Sequence, residues 1–127
     1  MITKAIRSLV LSGAILLAPL SAGEIYFCSD IAGVSINKFG IKTSNKNAKE
    51  IALQNWLIDT SKGWRREDVE GYAGACETNK GYVVCRAEDV VFGEAIFSIH
   101  PDDSNFVLTY LDYGLDALSY VGTCKKP

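Results

Sequence analysis

Residues 105–124 read N-F-V-L-T-Y-L-D-Y-G-L-D-A-L-S-Y-V-G-T-C, and this stretch decides the fold. Phe106, Leu108 and Tyr110 alternate with Val107, Thr109 and Leu111, the period of two expected of a strand with one face on a core. Asp112, Tyr113 and Gly114 supply turn chemistry, and Leu118 to Cys124 resumes a β-rich run. The segment therefore predicts a hairpin that ends on a cysteine. A last strand pinned by a covalent bond protects a small sheet from fraying, which makes this hairpin the anchor of the fold.

Four cysteines, Cys28, Cys76, Cys85 and Cys124, make an even number in a chain of 127 residues. Three pairings are possible. Cys76 and Cys85 flank Asn79, Lys80 and Gly81, turn residues that bring the two opposite each other in a hairpin, which leaves Cys28 for Cys124. In the chain-entropy view the short loop contributes on the order of 2.5 kcal/mol and the long one about 4.5 kcal/mol. None of the spacings is C-x-x-C and the chain has one histidine, so cystine is expected in place of structural zinc.

Paired cysteines imply an oxidising compartment, and the N-terminus agrees. Lys4 and Arg7 precede the apolar run Leu9 to Leu17, and Pro19, Ser21, Ala22 and Gly23 follow it. This is the pattern of an export signal cut after residue 22, and the run is shorter than the about 20 apolar residues that span a bilayer. Residues 23–127 are then one exported domain, periplasmic or secreted, without membrane contact after cleavage. The full chain carries 13 basic and 15 acidic residues. Loss of Lys4 and Arg7 takes the net charge from −2 to −4. That balance, with no basic cluster interleaved by aromatics, excludes nucleic acid as a partner.

Glu24 to Cys28 and Gly33 to Asn37 read as short strands and residues 37–47 as a loop. Lys49 to Asp59 fits either period and is taken as strand; a helix near 48–57 would make the fold α+β. Trp64 to Arg66 starts a new segment that reaches Tyr72 and Cys76, Gly81 to Arg86 and Val90 to Ile99 follow as strands, and residues 100–105, H-P-D-D-S-N, form a strong turn. The expectation is an all-β domain, an antiparallel sandwich or small barrel of about eight strands, with two disulfides.

The layout of W-x-x-D at Trp56 to Asp59, G-W-R at Gly63 to Arg65, Y-x-G-x-C at Tyr72 to Cys76, G-Y-V-V-C at Gly81 to Cys85 and the closing Y-V-G-T-C resembles a broad group of small exported bacterial proteins of unknown function. The resemblance implies an export signal and a compact disulfide-bonded β domain, and no catalytic residue. A second resemblance is to periplasmic lysozyme inhibitors, also small stapled barrels, whose S-G-x-x-Y loop has no counterpart here. It implies an inhibitor of a cell-wall hydrolase as an alternative role.

Chemistry has few candidates. His100 with Asp102 and Asp103 could orient an imidazole for a hydrolase-like or metal-dependent reaction, but a turn explains all three residues. Asp102, Asp103, Asp112 and Asp116 fall in separate turns and lack the D-x-[DN]-x-[DN]-G run of a calcium loop. No catalytic residue, metal or cofactor is therefore expected. Trp64, Arg65 and Arg66, after Gly63, and Tyr113, before Gly114, combine rings expected to be exposed with guanidinium groups, which suits contact with a protein or glycan partner. The expected function is non-enzymatic binding.

Overall fold

The computed structural model describes residues 23–89, 93–112 and 116–127. The described residues form nine antiparallel strands: β1 (Ile25–Asn37), β2 (Gly40–Ser44), β3 (Asn55–Asp59), β4 (Gly63–Arg66), β5 (Ala75–Asn79), β6 (Tyr82–Asp89), β7 (Gly93–Ile99), β8 (Asn105–Asp112) and β9 (Asp116–Lys125). Among the described residues there is no helix. The sheet runs β4-β3-β1-β9-β8-β7-β6-β5, with β2 on the free side of β1. Its two ends meet. Trp64 on β4 donates its backbone N–H to the Ala73 carbonyl at 2.9 Å and accepts the Ala73 N–H at 2.8 Å, so the chain entering β5 closes the sheet into a barrel.

The hairpin that anchors the sequence is β8–β9, in continuous register from Asn105 opposite Thr123 to Asp112 opposite Asp116. Both disulfides form as expected, each between directly opposed residues of neighbouring strands. Cys28 meets Cys124 across β1 and β9 with Cα atoms 4.0 Å apart, and Cys76 meets Cys85 across β5 and β6 at 3.9 Å. An oxidising, extracytoplasmic environment is the one in which such bonds persist.

Three expectations about elements need correction. The two short strands before residue 37 are one strand, β1, which a bulge between Asp30 and Ala32 bends without breaking. The bend lets β1 pair with β3 along its first half and with β2 along its second. Residues 37–47 are not all loop, because Gly40 to Ser44 pairs back on β1 as a tight hairpin. In the ambiguous segment the strand starts at Asn55, not Lys49, since the preceding residues are used up in a turn. There Ser44 Oγ accepts the Ile51 N–H and the Asn45 side chain accepts from Asn47 and Ala48.

Inward side chains stack in layers across the strands. One layer crosses Cys85, Phe97, Leu108 and Tyr120 in direct register and ends at Gly33 on β1. A Cβ on Gly33 would lie 2.7 Å from the Tyr120 ring, so the absence of a side chain there is what lets the tyrosine turn inward. The next layer holds Ile99, Phe106 and Gly122, and Phe106 stacks on Phe97 with centroids 4.8 Å apart. A Cβ on Gly122 would run into the Ser29 carbonyl and the Phe106 ring. Glycine opposite aromatic is thus the packing rule of this interior.

Candidate functional site

Packing is not uniform along the barrel. In the half that holds Phe97, Ile99 and Phe106 the interior is filled, but at the end bearing the β6–β7 and β8–β9 connections the inward positions are Ala87, Gly93 and Ala95. Ala87 lies opposite Ala95, and Ala95 opposite Tyr110. Two alanines in the layer next to Cys85 and Phe97, with Gly93 one layer beyond, leave a hollow of about 510 Å³, floored by methyl groups and walled by Tyr110 and Leu118. Ala73, Gly74 and Ala75 form its remaining side, next to the seam that closes the barrel. Arg86, Glu88, Glu94 and Asp112 bring charge to its margin.

Tyr110 is the polar group of this wall. Burial raises its pKa to about 12, with the neighbouring Tyr120 and Asp30 adding to the rise and Arg66 opposing it. Its hydroxyl therefore stays protonated and can donate a hydrogen bond at neutral pH. Deeper in the barrel, Asp30 accepts the Trp56 indole N–H at 2.9 Å and the Gln54 backbone N–H at 2.8 Å. Burial raises the Asp30 pKa, against the lowering effect of those two hydrogen bonds. The carboxylate fixes the Trp56 ring, which leans on Phe97, Tyr110 and Tyr120 with centroids 6.2 to 6.4 Å away. A half-buried acid thus orients the aromatic group behind the hollow.

The binding residues expected from the sequence do not assemble into one surface. Trp64 is 4% exposed, a correction: β4 pairs with β3 so that Trp64 faces the fully buried Ile58 inside the barrel, and its ring lies 5.9 Å from Phe97. The glycine before it opens β4 opposite Asp59 and gives the ring no route outward. Arg65 points the other way and secures the next turn, donating to the Val69 carbonyl at 2.9 Å and lying 5.4 Å from the Tyr72 ring. Arg66 pairs with Asp68 at 3.1 Å. Tyr113 lies outside the described residues.

His100 sits at the opposite end of the barrel from the hollow, in the turn before β8. Its Nδ1 accepts the Asp102 backbone N–H at 3.2 Å, while the Asp103 carboxylate stands 3.6 Å away, beyond hydrogen-bond reach. That nitrogen is satisfied by the backbone and is not oriented by a carboxylate in the way a general base requires. The hollows touching His100 each bring it one carboxylate, Asp103 in one and Glu24 in the other. Glu24 is itself engaged by Lys126 and by the Tyr26 hydroxyl, both at 2.7 Å. Among the described residues no cysteine is free and no three potential metal ligands gather.

Sequence reasoning passed over Ala87, Gly93, Ala95 and Asp30. The available signal was the cluster of small residues in strand segments otherwise rich in aromatics, but only the strand register sets Ala87 opposite Ala95 and puts Gly93 one layer beyond them. No family model, curated protein or solved structure matches this chain.

Proposed function

We propose that this chain is an exported, periplasmic or secreted binding module that accepts an apolar group, either a small ligand or a side chain of a partner, in the hollow at the β6–β7 end. The observation that carries the proposal is the alanine- and glycine-floored space of about 510 Å³ in a barrel that is otherwise packed with aromatic side chains. A size of some 300 to 1,000 Å³, mainly apolar walls and one oriented donor are the usual make-up of a small-ligand site. Tyr110 is the hydroxyl-bearing residue of the wall, and the charged margin sets the approach. Binding, and not chemistry, is favoured because His100 is turned to its own backbone.

The test uses 1-anilinonaphthalene-8-sulfonate as an apolar probe with the disulfide-bonded protein. A single saturable site is expected, abolished in Ala87→Trp, which fills the hollow, and unchanged in His100→Ala. Should Ala87→Trp fail to fold, Ala75→Phe at the margin serves in its place. Wild-type probe binding by a folded hollow-filling variant would refute the proposal.

A further inference from the structure

The β1–β2 hairpin projects an apolar tip that its own fold does not use. Lys38 and Phe39 are the two loop residues between Asn37 and Gly40, which pair with each other. The Phe39 N–H is held by the Asn37 side chain at 2.8 Å, so the turn is structured. Phe39 is nevertheless 87% exposed, with Ile41 at 66% and Ile36 at 47% directly opposite each other on the outward face behind it. Nothing lies within 4 Å of the position a Cβ on Gly40 would take. Large side chains kept in water at a rigid turn mark a surface built to meet an apolar phase.

Charge identifies the phase. From Ile31 to Lys49 the chain has four lysines, Lys38, Lys42, Lys46 and Lys49, and no acidic residue, in a protein whose net charge is −2. Residues 45–50 fold back beside β2, through the Asn45 N–H to Ala48 and the Glu50 N–H to Thr43, so Lys46 and Lys49 flank the same strand as Lys42. The neighbouring Glu50 is turned onto the Thr43 N–H at 2.9 Å, and Asp116 stands on the far side of β1, next to Ala117, which pairs with Ile36. No ion pair among the described residues involves these lysines. Lysines on an edge strand also discourage edge-to-edge pairing, but that role gives no reason for an exposed phenylalanine and two isoleucines.

From this combination we infer that the β2 corner docks on an anionic lipid bilayer. Phe39, Ile36 and Ile41 enter the boundary between headgroups and acyl chains, and the four lysines contact lipid phosphates. The acidic residues Glu88, Glu94, Asp112 and Asp116 lie on β6 to β9, across β1 from β2, so the barrel meets the surface at its β2 corner and not with its whole end. The inference departs from the expectation of no membrane contact, and it is independent of the hollow.

The test is co-sedimentation of the exported, disulfide-bonded protein with vesicles of phosphatidylcholine alone or with about one-third phosphatidylglycerol. Binding is expected to the anionic vesicles only and to weaken in high salt. Phe39→Ser should weaken it about tenfold, and Lys38→Ser with Lys42→Ser about 25-fold, from roughly fivefold per lysine at a charged surface. Both native tryptophans are buried, so an added indole in Phe39→Trp should shift its emission to the blue on vesicles. Ala87→Trp should bind vesicles as the wild type does, which separates this result from the fate of the hollow. Equal binding to neutral vesicles, no binding to either, or full binding by a folded Phe39→Ser protein would each overturn the inference, the second pointing to an acidic protein as the occupant.

Discussion

Removing the two disulfides separately should destabilise the domain by different amounts, although each joins opposed residues of adjacent strands. The difference lies in the unfolded chain. Cys28 and Cys124 are 96 residues apart in sequence and Cys76 and Cys85 only 9. Loop-closure entropy then makes the long bond worth about 4.7 kcal/mol and the short one about 2.6 kcal/mol, a difference of about 2 kcal/mol. Packing adds to the contrast, since Cys28 and Cys124 are both buried while Cys76 on β5 is only half-buried. Urea unfolding of Cys28→Ala/Cys124→Ala and Cys76→Ala/Cys85→Ala, followed by tryptophan fluorescence, measures both. Trp56 and Trp64 are buried and change environment on unfolding. The first variant should melt about 10 °C below the second and show the larger increase in denaturant slope, because its unfolded chain expands more. Equal losses, or a larger loss in the Cys76/Cys85 variant, would refute the reasoning and move the main effect to the native strand that β5 supplies.

Trp64→Ala should cost about 3 to 5 kcal/mol, the range for a large aromatic removed from a core, and thermal melts against wild type will show it. Gly122→Ala should disrupt the β1–β9 register, since the added methyl meets the Ser29 carbonyl; loss of native near-ultraviolet dichroism is the expected sign. Asp59 accepts the Ser61 hydroxyl and N–H, and these hold its pKa below the ordinary 3.8. Its contribution is therefore full above the unfolded value and lost as pH falls through the lower folded one, so Asp59→Asn should flatten stability against pH in that acid range.

The strands that alternate cleanly were legible in the sequence, and so were both disulfides. Phe106 to Tyr110 shows its period because one face is buried and the other wet, and Cys76 and Cys85 flank a turn short enough to fix their pairing. β1 was harder. Its bulge at Ile31 resets the alternation midway, so a single strand reads as two, and β2 is hidden by lysines and a glycine that belong to an edge. Trp64 misled for a related reason: glycine and arginine neighbours describe the hairpin around it, whereas its own direction follows from pairing with Ile58, a contact between strands. The hollow is a property of register alone. Ala87 and Ala95 carry no local signal until β6, β7 and β8 are aligned.

The seam between β4 and β5 gives the barrel a direction of weakness. Its other strand junctions have four or more opposed pairs, but this one is a single bridge between Trp64 and Ala73. Thermal breathing therefore concentrates there, as the lowest rung in a hierarchy of partial openings. Ala73 also walls the hollow, so a molecule seated against it would bear on one lip of the split. Occupancy would then steady the Ala73 side of the bridge by linkage, and slower deuterium exchange at the Trp64 and Ala73 amides would record it.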